Sequence, residues 1–181
     1  MISGKLTVWV GPMFADKTTH LLETYWKQKL VTNTLLIKPK KDNRYDERKV
    51  VTHSGLEAEA DCVLGDGDNV FDICLSAGGG TDIFVDEPQF IPGIGHVIKL
   101  WLMSGYNVYV SGLDLWSNGE PVPEMLSLLA YADEVYKLKA KCKCGQPASK
   151  TQKLRSTGTI QNVDKGDLYA PACNDCWEPL V

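Results

Sequence analysis

Short apolar runs and amphipathic stretches alternate along the first 138 residues of the chain. Apolar runs bounded by glycine, proline or acidic residues predict β-strands at residues 5–10, 34–39, 82–86, 106–114 and 133–138. Apolar positions at helical spacing predict α-helices at residues 21–30, 94–105 and 123–132. Strands that alternate with helices are typical of a parallel sheet covered on both faces, so we predict a three-layer α/β domain.

The pattern changes after about residue 140, where the helical spacing disappears. The last 41 residues contain four of the six cysteines and few large apolar side chains. A segment of this kind buries too little apolar surface to fold on its own. We therefore predict two units, an α/β domain at residues 1–139 and a small C-terminal lobe at residues 140–181.

Composition excludes several classes of protein. Hydrophobic residues make up 44% of the chain and charged residues 23%, which is typical of a folded globular protein. The net charge is −4, so there is no overall positive field to attract nucleic acid or an anionic membrane. The N-terminal stretch lacks a signal-peptide pattern and no apolar run approaches about 20 residues. We expect a cytoplasmic protein with no membrane or nucleic-acid partner.

A phosphate-binding loop is predicted between the first strand and the first helix. Gly11 is followed at the usual spacing by Lys17 and Thr18. In such loops backbone N–H groups and a helix N-terminus face the phosphates, the lysine reaches the β- and γ-phosphates, and the hydroxyl binds Mg²⁺. One residue departs from the pattern, because Asp16 stands where glycine is expected. The context of strand before and helix after indicates a P-loop NTPase-like fold.

Two acidic residues, Asp86 and Glu87, lie at the end of the apolar strand at residues 82–86. Open α/β sheets bind their ligands at the carboxyl ends of the strands. Asp86 has the position of the carboxylate that holds Mg²⁺ in P-loop enzymes, and Glu87 is a candidate base. The alternative is that both acids only end the strand and cap the segment after it. The phosphate loop upstream favours the metal and base roles.

Four cysteines form two close pairs, Cys142 with Cys144 and Cys173 with Cys176. Two pairs of thiolates suit a tetrahedral structural Zn²⁺ site, although the first pair is one residue shorter than the usual spacing. Free cysteines or a different fourth ligand are the alternative. Cys62 and Cys74 are predicted to be buried apolar residues.

Taken in order, these motifs resemble the thymidine kinases of the cellular, bacterial and poxviral type. The shared pattern runs from residue 4 to about residue 176 and consists of GPMF-x-x-KTT, KP-x(2)-DNRY, THSG, DE-x-QF, GLD, YADEVYKLKAKC and Y-x(3)-C-x(2)-C. The resemblance implies a P-loop domain with a small zinc lobe, assembled as a homotetramer. It also implies transfer of the γ-phosphoryl group of ATP to the 5′-hydroxyl of thymidine, a reaction that serves DNA synthesis.

The resemblance assigns a role to each matching residue. It makes Glu87 the general base, with Lys17 and Arg44 stabilising the phosphates. It implies a lasso in the zinc lobe that closes over the nucleoside. The implied ATP and Mg²⁺ contacts are Gly11, Pro12, Met13, Phe14, Ala15, Asp16, Lys17, Thr18, Asp42, Asp86, Glu87, Pro88 and Gln89, with Thr18 and Asp86 at Mg²⁺. The implied nucleoside contacts are Phe90, Trp116, Thr151 and Tyr169, and the implied zinc ligands are Cys142, Cys144, Cys173 and Cys176.

Some positions depart from the family pattern near the base. Trp116 follows GLD one residue earlier than the usual aromatic, Val122 replaces the phenylalanine of a Pro-Phe pair, and Lys153 replaces an arginine. A lysine keeps the charge of arginine but loses its bidentate geometry. Thymidine is the expected substrate, and deoxyuridine or a 5-substituted pyrimidine deoxynucleoside is the alternative.

Asp16 is the departure that bears on activity. Aspartate adopts the left-handed backbone of this position at a cost of about 1 kcal/mol. A carboxylate roughly 5 Å from the triphosphate would add repulsion of about 3 kcal/mol per unit charge, which is about a hundredfold in ATP affinity. An outward-facing side chain would avoid most of this cost.

The sequence therefore leaves three functions to distinguish. The first is an active deoxynucleoside kinase that tolerates Asp16. The second is an impaired or inactive homologue that binds nucleoside or serves as an assembly subunit. The third, a zinc-ribbon nucleic-acid module, is disfavoured because the lobe is not strongly basic and lacks an aromatic stacking surface.

Overall fold

A parallel sheet of six strands forms the centre of the chain. The computed structural model describes residues 4–42, 46–65, 68, 79–155 and 166–179. The strands lie in the order β5-β2-β6-β7-β1-β8. Their bounds are β1 Leu6–Val10, β2 Asn33–Pro39, β5 Cys62–Leu64, β6 Thr81–Asp86, β7 Val108–Gly112 and β8 Glu134–Lys137. Two further short strands, β3 Lys49–Val51 and β4 Glu57–Glu59, form a separate antiparallel hairpin.

Helices cover both faces of the sheet, which confirms the predicted α/β architecture. Helix α1 spans Lys17–Gln28, α2 spans Ile94–Met103 and α3 spans Pro123–Tyr131. One core cluster contains side chains of α1 and the other contains side chains of α2 and α3. Among the described residues, no helix has the length and apolar character needed to cross a membrane.

The strand β1 shows why a short apolar run forms a central strand. Leu6, Val8 and Val10 belong to the core cluster that contains α2 and α3, whereas Trp9 belongs to the cluster that contains α1. Successive side chains of a strand point to opposite faces of the sheet. A strand between two helical layers must therefore be apolar on both of its faces. The strand thereby fixes the start of the loop at Gly11.

The C-terminal lobe consists of two small antiparallel pairs. Strand β9 (Ala140–Lys141) pairs with β10 (Pro147–Ala148), and β11 (Lys150–Lys153) pairs with β12 (Tyr169–Ala172). A 3₁₀ turn at Gly166–Leu168 precedes β12. Among the described residues, the apolar core cluster of this region has only three buried members, Cys142, Ala148 and Cys173. Whether residues 140–181 are a separate domain stays a prediction.

The two remaining cysteines differ from the zinc-ligand candidates in their surroundings. Cys62 lies on β5 and is half-buried against the core, so it is less buried than predicted. This partial burial raises the pKa of its thiol, since the thiolate is less well solvated there. Cys74 lies outside the described residues.

Candidate active site

The loop between β1 and α1 has the backbone of a phosphate cradle. Gly11 has a φ of +146°, and a Cβ there would collide with the carbonyl oxygen of Leu138, so only glycine fits. Phe14 and Asp16 also have positive φ values, 66° and 55°. Non-glycine residues rarely adopt this conformation and cluster at functional sites when they do. The residues from Met13 to Thr19 line a cleft above the carboxyl ends of the strands.

Asp16 adopts the left-handed conformation that was expected of it, with φ 55° and ψ 23°. It is the N-cap residue, immediately before α1, and its side chain makes no capping hydrogen bond. The side chain is exposed at the rim of the cleft. An exposed carboxylate is solvated by water, so its repulsion of phosphate is expected to be smaller than that of a carboxylate buried against the triphosphate.

Lys17 and Thr18 join the loop to the rest of the cleft. The buried Lys17 donates a hydrogen bond from Nζ to the carbonyl oxygen of Pro12, at 2.7 Å. The hydroxyl of Thr18 donates to Oδ1 of Asp86, at 3.1 Å. The sequence predicted that the loop and the acidic end of β6 would share one Mg²⁺ site, and the structure brings these two side chains into direct contact.

The two acidic residues at the end of β6 have different environments. Asp86 is buried and its Oδ1 also accepts a hydrogen bond from the hydroxyl of Ser111 on β7. Glu87 is buried and has a φ of +51°, and its N–H donates to the carbonyl oxygen of Ser111 at 2.8 Å. This left-handed backbone is a further strained position at the cleft, and it turns the chain away from the strand direction at Glu87.

Gln89 holds the carboxylate of Glu87. Its Nε2 donates a hydrogen bond to Oε2 of Glu87, and both side chains are buried. Pro88 begins the 3₁₀ turn Pro88–Phe90, at a position where a missing N–H costs nothing, so proline is tolerated here as expected. A carboxylate fixed in this way suits the general-base role that the resemblance implies.

The opposite wall of the cleft comes from β2 and the β3–β4 hairpin. Asp42 is buried and lines the cleft together with Asp86 and Glu87, as predicted. Arg44 lies outside the described residues. The structure adds residues that were given no role from the sequence, namely Lys38, Thr52, His53 and, behind Asp86, Ser111.

Sequence motifs could have indicated two of these additional residues. Thr52 and His53 belong to the THSG motif, and the His53 ring lies 4.9 Å from the ring of Phe14 in the phosphate loop.

Lys38 is almost fully buried and donates to the carbonyl oxygens of Asp46 and Lys49, at 2.6 and 2.8 Å. A buried lysine held by backbone oxygens fixes the hairpin against the cleft.

The predicted nucleoside contacts fall into two groups. Phe90 and Trp116 lie together, with ring centroids 6.0 Å apart, and Trp116 is largely buried in the core. Thr151 and Tyr169 lie on the paired strands β11 and β12 and are also buried. The hydroxyl of Thr151 contacts the phosphate loop, where it accepts a hydrogen bond from the N–H of Met13 at 3.0 Å.

The four cysteines of the lobe converge as predicted. Their sulfur atoms all lie within 4.8 Å of one another. Thiolates at the usual distance from a tetrahedral Zn²⁺ lie about 3.8 Å apart, and the Sγ atoms of Cys144 and Cys173 are 3.7 Å apart. Backbone hydrogen bonds from Cys144 and Cys173 lower the pKa of the Cys142 thiol to about 6, whereas side-chain hydrogen bonds with Cys144 and Cys173 raise the pKa of the Cys176 thiol to about 12. The shortened first pair is compatible with this cluster.

Comparison with known proteins gives a consistent result. A family model described as thymidine kinase matches residues 4–177. A thymidine kinase of Pyrobaculum aerophilum is 40% identical over 152 residues, which is 82% of each chain. A thymidine kinase of Thermococcus kodakarensis is 39% identical over 157 residues, covering 83% of this chain and 79% of the relative.

Proposed function

Because the chain belongs to the thymidine kinase family and is a deoxynucleoside kinase, we propose that it transfers the γ-phosphoryl group of ATP to the 5′-hydroxyl of thymidine. The observation that supports this proposal is the meeting of the phosphate loop with the acidic end of β6, through the hydrogen bond from Thr18 to Asp86. The choice of thymidine as the nucleoside follows the two relatives, both of which are named thymidine kinase.

In the proposed reaction Glu87 acts as the general base. Its carboxylate takes the proton of the 5′-hydroxyl as that oxygen attacks the γ-phosphorus, and ADP leaves with the electrons of the broken P–O bond. The hydrogen bond from Gln89 fixes the carboxylate, and burial of both residues excludes water from it. A base held in one place loses little entropy when the nucleoside arrives.

The phosphate loop stabilises the charge that moves during transfer. Lys17 is proposed to leave the carbonyl oxygen of Pro12 and to contact the β- and γ-phosphates of ATP. Thr18 and Asp86 would hold Mg²⁺, which neutralises phosphate charge when bound. The family resemblance assigns Arg44 a similar electrostatic role. Asp42 belongs to the same D-x-R motif and is proposed only as an ATP-site contact.

The lobe is proposed to hold the base and to depend on zinc. The spacing of the four cysteine sulfurs suits a structural Zn²⁺ bound by Cys142, Cys144, Cys173 and Cys176. Thr151 on β11 and Tyr169 on β12 would then contact the nucleoside from the lobe, and Phe90 and Trp116 would contact it from the α/β domain. The family resemblance also supports a homotetramer in the cytoplasm that supplies precursors for DNA synthesis.

The position of Asp16 and the family relationship do not favour an inactive homologue. The exposed Asp16 leaves the cradle backbone in place, and Lys17, Thr18, Asp86 and Glu87 line one cleft. The chain is therefore expected to turn over substrate rather than only bind nucleoside or assemble with another subunit.

A direct assay tests the acceptor. The chain is incubated with ATP and Mg²⁺ and with thymidine, deoxyuridine or deoxycytidine in separate reactions, and the nucleoside monophosphate is quantified. Lys17→Met, which keeps most of the side-chain volume without the charge, serves as the matched inactive control. We expect thymidine to have the highest kcat/KM. Higher kcat/KM for deoxyuridine would show that Val122 and Trp116 alter base preference, and turnover of no nucleoside would contradict the proposal.

A further inference from the structure

The phosphate loop is attached to the cysteine lobe by a hydrogen bond between residues 138 positions apart. The N–H of Met13 donates to Oγ1 of Thr151 at 3.0 Å, and the contact is buried. Met13 lies in an irregular loop between β1 and α1, so its N–H has no place in a helix or sheet. A side-chain oxygen from the other region of the molecule satisfies this donor instead.

The loop has unusual need of such support. Phe14 and Asp16 both hold positive φ values without being glycine. Strained backbone of this kind persists only when surrounding contacts hold it in place. Two hydrogen bonds of the described residues contact its backbone: Lys17 in α1 donates to the carbonyl oxygen of Pro12, and Thr151 in the lobe accepts from the N–H of Met13. The ring of His53 also packs against that of Phe14.

We propose that Thr151 is a positioning residue for the ATP-binding loop, in addition to any contact that it makes with the nucleoside. If Lys17 leaves Pro12 to bind phosphate, the hydroxyl of Thr151 remains bonded to the loop. The hydroxyl then keeps the loop backbone in the conformation that cradles phosphate. The inference rests on the proposed function only in placing ATP at this loop.

The same hydrogen bond links the two substrate sites energetically. Thr151 belongs to β11, which pairs with β12 and so with Tyr169 in the proposed nucleoside-binding lobe. A nucleoside that orders this lobe would also order the phosphate loop through Thr151. ATP bound at the loop would likewise order the lobe. Coupling between two ligands is reciprocal, so each should increase the affinity for the other by the same factor.

The test compares Thr151→Val with Thr151→Ser. Valine keeps the shape of threonine without the hydroxyl, and serine keeps the hydroxyl. ADP binding with Mg²⁺ is measured by calorimetry in the absence of nucleoside, so a direct contact with the base cannot contribute. An unsatisfied buried N–H should raise the Kd for ADP roughly 5- to 150-fold in the valine variant. The serine variant should stay within about twofold of the native chain, since its hydroxyl still satisfies that N–H.

Zinc content and melting temperature are measured on both variants, and amide hydrogen exchange of the peptide that contains residues 11–17 gives a local readout. Faster amide exchange of this peptide in Thr151→Val but not in Thr151→Ser, with zinc retained in both variants, supports the positioning role. Unchanged ADP affinity in the valine variant, with only the KM for thymidine raised, would overturn it. If valine prevents folding, Thr151→Ala is used under the same criteria. Because no acceptor is present, failure of the proposed thymidine reaction leaves this test intact.

Discussion

The α/β domain and the cysteine lobe meet at the phosphate loop but are stabilised in different ways. The domain buries two extended clusters of apolar side chains, one on each face of its sheet. Among its described residues the lobe has a buried cluster of only Cys142, Ala148 and Cys173, on and beside strands of two to four residues. Burial can hold the first region together, whereas the proposed zinc ion would supply the cross-link for the second.

The residues proposed for the chemistry and two of those proposed for nucleoside recognition fall in different regions. Lys17 and Thr18 begin helix α1, and Asp86 and Glu87 lie at the end of the central strand β6, so elements packed in the core fix their positions. Thr151 and Tyr169, the proposed nucleoside contacts, lie in the region that contains the four clustered sulfurs of the proposed zinc site. Changes to the lobe should therefore abolish recognition and leave the domain folded, while changes to the domain should spare the metal.

Removing one sulfur should give the largest effect. In Cys173→Ala the remaining three thiolates cannot complete the tetrahedral site, and structural zinc supplies the folding free energy of such a lobe. We expect zinc to fall from about one per chain to near zero. We also expect kcat/KM for thymidine to fall at least about a hundredfold, because Thr151 and Tyr169 lose their positions.

The control is Cys62→Ala, which removes a half-buried thiol outside the cluster. That variant should keep its zinc and its activity. Circular dichroism should show that Cys173→Ala retains the α/β domain. Zinc retained at one per chain in Cys173→Ala would contradict the proposed ligand set.

Glu87→Gln tests the chemistry on the domain side. Glutamine preserves the shape of the side chain but cannot accept the 5′-hydroxyl proton, and general-base catalysis contributes about 10²- to 10⁴-fold. We expect a fall of this size in kcat, with zinc content and ADP affinity unchanged. Glu23→Gln, an exposed change on α1, is the matched control and should have native kcat. A kcat within about tenfold of native for Glu87→Gln would rule out the base role.

Phe84→Ala tests the stability of the domain without touching the site. Phe84 is fully buried, and its ring lies 4.6 Å from that of Tyr109 and 5.4 Å from that of Tyr25. Loss of a buried phenylalanine costs about 3–5 kcal/mol of the free energy of unfolding. Urea denaturation should show this decrease, while the folded variant keeps its zinc.

Leu126→Ala on α3 is the comparison, since Leu126 is 56% exposed. It should change the free energy of unfolding by less than about 0.5 kcal/mol. Loss of zinc from folded Phe84→Ala would mean that the lobe and the domain are not stabilised independently.

The sequence predicted the α/β domain well because the apolar patterns that indicate its strands and helices are local. The run at residues 82–86 is apolar on both faces and ends in acid, and the structure places Asp86 and Glu87 at the end of β6. Strands of three residues, such as β3, β4 and β5, are too short for periodicity to reveal. The predicted strand at residues 106–114 was correspondingly too long, because β7 is Val108–Gly112.

The contacts within the site were harder to predict because they join distant parts of the chain. Ser111 carries no motif of its own, yet it donates to Asp86 from the neighbouring strand. The family pattern assigns Thr151 to the nucleoside, and its hydrogen bond to Met13 depends on how the lobe packs on the loop. The exposure of the Asp16 side chain required the structure, since sequence alone does not say which residues of a loop are in contact with solvent.

Asp16 provides the smallest expected effect and the finest test of the rigid loop. Its exposed carboxylate, at about 7 Å and in bulk-water dielectric, would repel phosphate by roughly 0.6 kcal/mol per unit charge, and salt reduces this further. Asp16→Asn removes the charge and keeps a side chain that tolerates left-handed backbone. We therefore expect the KM for ATP to fall by less than about fivefold in this variant, and by less at high salt.

Asp16→Gly separates the charge from the backbone strain. Glycine removes both the charge and the left-handed penalty of about 1 kcal/mol, so it should match asparagine in KM for ATP and exceed it in melting temperature. A decrease in KM near a hundredfold in both variants would mean that the carboxylate turns inward when ATP binds. A decrease in the KM for ATP in Asp16→Gly but not in Asp16→Asn would instead mean that the cost lies in the loop backbone. That backbone is the part of the site that Thr151 is proposed to hold.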